Sequence, residues 1–167
     1  MPAQEMQEKQ FMDAYHAYAD AIFRYCYYRV FESKKAEDFV KETYCQAWKH
    51  ITNGNTVENI MILLYKTAND IITSEQSKKD VFSFRKLKEK FFAAIINAYQ
   101  EPKEQGAQRE AIALIKSLDE QYQNVIVLTY INGLSQQEIS LILDEPLNDV
   151  CNKAEMFEKL KVASAQS

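Results

Sequence analysis

The stretch INGLSQQEISLILDEPLNDVCNKAEMFEKLK, residues 131–161, decides how the rest of the chain is read. Gly133 is placed to close a preceding helix. Ser135 is placed to cap the next one, with Glu138 three residues on as its capping-box partner. Ile139, Ile142 and Leu143 then form an apolar stripe at spacings of three and four. Asp144, Glu145 and Pro146 interrupt it, because proline removes a helical donor and biases the residue before it away from the helical region. A second stripe follows at Val150, Ala154, Phe157 and Leu160. Helix, short break, helix is the outline of a helix-turn-helix, whose second helix normally enters the DNA major groove.

Working outward, composition supports a helical reading. Of 167 residues only three are glycine and three proline, which leaves few turns and argues against an all-β fold. Hydrophobic residues make up 47% and charged residues 26%, a globular balance. The formal net charge of −4 counts against strong nonspecific DNA affinity, which needs a basic face. Cys26, Cys45 and Cys151 are odd in number and widely spaced, which fits neither a disulfide framework nor a zinc site. No apolar run approaches membrane-spanning length and no secretory leader opens the chain, so a cytoplasmic protein without membrane insertion is expected.

Three helices are predicted in the first half. Residues 10–31 carry Phe11, Tyr15, Tyr18, Ile22, Tyr25 and Arg29 near one face, broadened by Ala14, Ala21 and Tyr28, after a polar stretch 1–9 expected to fray. Ser33 is the expected cap of a helix over 34–51, with Ala36, Phe39, Val40, Thr43, Tyr44, Ala47, Trp48 and Ile51 inward. Glu37, Asp38, Lys41, Glu42 and Lys49 make the charged outer side. After the turn TNGNT, residues 57–76 turn Ile60, Leu63, Leu64, Ala68, Ile71 and Ile72 inward. Residues 80–109 read as a partly helical connector, locally basic, with an apolar patch from Phe82 to Ile96 that needs cover, either as a docking site or as a strap between domains. The helical pattern resumes at Arg109. The expected fold is therefore all-α, two small helical domains over 1–79 and 110–167, joined by 80–109.

The order of these motifs resembles a small two-domain sigma factor of the extracytoplasmic-function type, a bacterial RNA polymerase specificity subunit. AEDFVKETYCQAW at 36–48 is similar to the family's polymerase-binding helix, and LLYKTANDIITSEQSKK at 63–79 sits where the family has its minus-ten segment. SLDEQYQNVIVLTYINGLSQQEISLIL at 117–143 is similar to the start of the domain that binds the minus-thirty-five element. The resemblance implies polymerase-binding roles for Asp38, Lys41 and Glu42. It implies DNA-binding roles for Tyr65, Lys66, Lys78, Lys79, Gln136, Gln137, Asn148, Asn152 and Lys153. The implied partners are core RNA polymerase, promoter DNA and an anti-sigma factor, with no cofactor.

The chain departs from that pattern where promoters are read. Asn69, Asp70, Ser74 and Ser77 stand where the family has an Arg-Asn pair, Asp and a run of arginines. Arginine, the commonest reader of guanine, is absent from the second helix of the motif. Residues 111–167 hold four lysines against eight acids, a net of −4, so this part is expected to bind DNA poorly by itself. A sigma-like interaction protein without promoter reading is therefore a second reading, and a helical scaffold unrelated to transcription a third. Enzymatic function is not expected: there is no phosphate loop, no metal-spaced histidine-carboxylate set and no nucleophile-base pair. His16 and His50 read as structural, and Cys151 as a small residue or, if exposed, a redox-sensitive thiol.

Overall fold

The computed structural model describes residues 2–74 and 107–166; side chains are described for 5–74 and 112–159. The chain is all-α and divides into two compact units, Met1–Glu101 and Pro102–Ser167. The connector expected over 80–109, with its apolar patch, lies almost wholly outside the described residues.

In the first unit, α1 spans Pro2–Val30, α2 Ser33–Thr52 and α3 Ile60–Ser74, and each packs on the other two. Helix α1 begins well before the expected residue 10. Proline at the first helical position loses nothing, because that N–H has no intrahelical acceptor. Its buried face is also wider than the stripe predicts. Ala19, Phe23, Cys26 and Tyr27 are buried alongside Phe11, Ala14, Tyr15, Ile22, Tyr25, Tyr28 and Arg29, whereas Tyr18 and Ala21 are only half-buried. A helix buried on nearly all sides over Ile22–Arg29 belongs to a core rather than a surface.

Aromatic edges organise that core. Phe11 meets Tyr44 edge-on at 5.7 Å and Trp48 at 5.0 Å, and Tyr15 meets Tyr44 at 5.4 Å. Such pairs add about 0.5–1.5 kcal/mol each beyond their buried area. Phe31, with φ of 56°, turns the chain between α1 and α2 in the left-handed region, which is uncommon for a bulky residue. Ser33 is the first residue inside α2 rather than its cap. Glu32 holds the cap position with extended backbone, and its carbonyl accepts from Ala36 N at 2.9 Å. Helix α3 starts three residues later than expected, because Asn59 caps it: Asn59 Oδ1 accepts from Met61 N at 3.0 Å.

In the second unit, α4 (Ala107–Ser117) and α5 (Glu120–Ile126) meet at a tight turn where Gln123 Nε2 donates to the Ile115 carbonyl at 2.8 Å. Helix α5 runs on into a π turn, Val127–Ile131, which places five successive residues, Asn124 to Leu128, in the core. Helices α6 (Gln136–Leu143) and α7 (Leu147–Gln166) follow, both packed together, with α7 also lying on α5.

Candidate nucleic-acid interface

The helix-turn-helix of the second unit is built from local chemistry. Gly133 takes φ of 66°, a conformation with almost no cost for glycine, and ends the preceding turn. The capping box is complete: Glu138 N donates to Ser135 Oγ at 3.1 Å, and Ser135 N donates to Glu138 Oε1 at 3.0 Å. Ile139 and Ile142 are buried, as are Val150, Ala154 and Phe157 of α7, so both predicted stripes face one core. Leu143 is half-buried, and the side chain of Leu160 lies outside the described set. The break falls at Asp144, which adopts the left-handed conformation at φ 54° and ψ 42° and caps α6, its N–H donating to the Ser140 carbonyl.

The turn is then tied to both helices. Glu145 N donates to the Ser140 carbonyl at 3.2 Å, and Ser140 Oγ donates to the Glu145 carbonyl at 2.5 Å. The Glu145 carboxylate accepts from Lys153 Nζ through both oxygens, at 3.0 and 2.9 Å. A second link joins the helices where Cys151 Sγ donates to Gln136 Oε1 at 2.8 Å.

The residues expected to touch DNA fall into distinct groups. Gln136, Gln137, Asn148 and Asn152 are exposed at the N-terminal ends of α6 and α7. Lys153 is half-buried and its ammonium is held by Glu145, so it does not present a cation outward as expected. Among the described residues, the exposed charges of α7 are Asp149, Glu155, Glu158 and Lys159, and three of the four are acidic.

In the first unit, Tyr65 contradicts its predicted role. It is 2% exposed and meets Tyr25 edge-on at 5.8 Å, so its ring offers no face for a base to stack on. The physical reason is the helical repeat: Tyr65 lies in register with Ala68 and Ile72, both buried. Lys66 is exposed. Lys78 and Lys79 lie outside the described residues. Burial pushes the Asp70 carboxyl above its usual range, and Lys66 offsets part of that rise.

The residues expected to face polymerase divide in the same way. Asp38 is exposed and Lys41 half-buried on α2, but Glu42 is completely buried and accepts from Gln46 Nε2 at 3.2 Å. Reading Glu42 as a surface charge fails because α2 is covered on more than one side: Thr43 and Cys45, on either flank, are buried as well. A polar cluster also appears that spacing did not reveal. Arg29 Nη1 donates to Tyr25 Oη at 2.6 Å and to Asn69 Oδ1 at 3.1 Å, and Tyr25 Oη donates to the same Asn69 oxygen at 3.1 Å. The sequence signal was Arg29 on the apolar face of α1, where a buried cation needs partners.

Among the described residues, no group of three or more His, Cys, Asp or Glu side chains is placed to hold a metal, and no helix is long and apolar enough to cross a membrane. No curated protein matches the chain. Residues 108–152 match the family model for sigma-70, region 4, which takes in α4, α5, the π turn, α6 and the start of α7. Through this segment, and on the geometry of its helix-turn-helix, the second unit is similar to sigma-70 region 4, a DNA-binding domain of transcription factors.

Proposed function

We propose that the chain is a transcription initiation factor of the extracytoplasmic-function sigma type. In this reading residues 1–79 bind core RNA polymerase, residues 80–109 connect, and residues 110–167 lie on the minus-thirty-five element of promoter DNA. One observation carries it: the residues that match sigma-70 region 4 take in the first helix of a helix-turn-helix, closed by a complete capping box, its turn and the start of its second helix. Asp38 and Lys41 are the surface contacts for polymerase, and Gln136, Gln137, Asn148 and Asn152 face DNA. An anti-sigma factor is the regulatory partner this reading implies, and the cytoplasm is its compartment. No catalytic role or cofactor is assigned.

The test is reconstitution with core polymerase followed by transcription from a promoter library. Saturable binding and promoter-dependent initiation are expected. Asp38→Ala should slow association and weaken its salt dependence, because exposed interfacial charges act mainly on encounter. Absence of polymerase binding would overturn the proposal. A second reading, a sigma-like protein that binds polymerase or an anti-sigma factor without reading promoters, draws on the buried Tyr65, the held Lys153 and the acidic surface of α7. Polymerase binding without promoter-dependent initiation is the outcome that favours it.

A further inference from the structure

Within the motif, Lys153 is a cation that α7 carries in the turn following its first exposed asparagines, close to where a helix in this arrangement meets a phosphate backbone. Its ammonium is turned back instead. Both oxygens of Glu145 receive it, and the two side chains are only 15% and 26% exposed. Glu145 is itself fixed, since Ser140 bonds its N–H through the main chain and its carbonyl through the hydroxyl. The acid therefore sits in the turn between α6 and α7 with little freedom to follow Lys153 outward. An ammonium bonded twice to a carboxylate gives up one counterion-releasing contact with DNA.

We propose that Glu145 is a positioning residue that withholds Lys153 from DNA, so that the turn sets how much electrostatic affinity the second unit has. This rests on the reading of the unit as a DNA-facing domain. The withheld contact is a phosphate contact, which is indifferent to base sequence. The consequence is a unit that binds duplex weakly when alone and depends on the rest of the initiation complex for its hold. Freeing Lys153 raises sequence-independent affinity and so dilutes whatever discrimination Gln136, Gln137, Asn148 and Asn152 provide.

The test uses the full chain and a duplex of arbitrary sequence, with affinity followed from 50 to 200 mM salt. Glu145→Gln is expected to steepen the logarithmic salt slope by about 0.9, the value for one added phosphate contact, so that the affinity ratio across this range grows about threefold. Glu145→Asp keeps the net charge but shortens the reach of the carboxylate. It should steepen the slope in the same direction, which separates release of Lys153 from simple loss of an acid. Glu145→Gln combined with Lys153→Gln should return the slope to that of the parent.

A slowly exchanging Lys153 ammonium signal in the NMR spectrum of the parent, lost in Glu145→Gln, is the direct sign of the contact. The proposal is overturned by a slope unchanged in both Glu145 variants, by a gain that survives removal of Lys153, by absence of the ammonium signal in the parent, or by no duplex binding in any variant at 50 mM salt. Failure here and failure of the sigma reading are distinguishable. A chain that binds polymerase with no change of slope loses only this inference. One that shows the change of slope but does not bind polymerase loses only the sigma assignment.

Discussion

The two units reach a helical fold by different routes. The first unit is held by side chains far apart in sequence: Phe11 against Trp48, Tyr25 against Tyr65, Arg29 against Asn69. The motif of the second unit is laid out by its neighbours in sequence, with Ser135 and Glu138 capping one helix and Asp144 ending it within nine residues. The difference teaches where damage will spread. A core built from long-range contacts fails as one piece, whereas a locally specified motif loses stability in small steps. Trp48 is the sole tryptophan, so its fluorescence follows the first unit while helical circular dichroism follows both.

The largest effect should come from Leu64→Ala. Leu64 is completely buried in α3, and truncation at such sites costs about 2–5 kcal/mol. The expected outcome is a large fall in the denaturant midpoint read by Trp48, with the part of the dichroism due to the second unit melting as before. Coincident shifts in every probe would show the units unfold together and would break the comparison. Next is Asn69→Ala, which takes an acceptor from both Arg29 and Tyr25. Leaving buried donors without it costs about 1–3 kcal/mol, again read by Trp48.

Ser135→Ala is smaller and falls on the other side of the comparison. Loss of the cap should cost about 1 kcal/mol and leave the Trp48 transition where it was. The last contrast is silent at neutral pH. Burial pushes the Cys26 thiol and the Tyr15 phenol up to about 12, and raises the phenols of Tyr25 and Tyr44 further. The neutral forms are thus favoured in the folded unit. Their stabilisation is fully present below the unfolded values, near 9 for the thiol and 10 for the phenols, and is lost as pH rises toward 12. The Trp48 transition should weaken progressively above about pH 9, more steeply than loss of helix in the second unit. Parallel alkaline melting would count against it.

How much of this was legible in the sequence follows the same division. The helix-turn-helix could be read almost residue by residue, because glycine, serine, glutamate and proline act on their immediate neighbours. In the first unit, periodicity found the helices and most of the inward residues but not the width of the buried surface. Tyr65 and Glu42 look like surface residues by type and are buried, since α2 and α3 are each packed by two other helices on sides that one stripe cannot report. The start of α1 was missed because its first turns carry no apolar repeat. The hold of Glu145 on Lys153 spans a turn whose path depends on Asp144 adopting the left-handed region, and spacing alone does not fix that path.

The π turn at Val127–Ile131 has a consequence for how the motif is aimed. Asn132 N donates to the Val127 carbonyl, five residues back, so the helix there accommodates one residue more than a regular turn would. One residue in an α-helix corresponds to about 100° of rotation and 1.5 Å of advance. The extra residue acts as a phase shifter: upstream, α5 keeps its seat, while everything from Asn132 onward is swung around the helix axis. Deleting Thr129, half-buried within that turn, would let the helix rewind to its ordinary pitch. The two glutamines and two asparagines that open α6 and α7 would then point along a different bearing from α5, at the expense of the packing of α7 on α5.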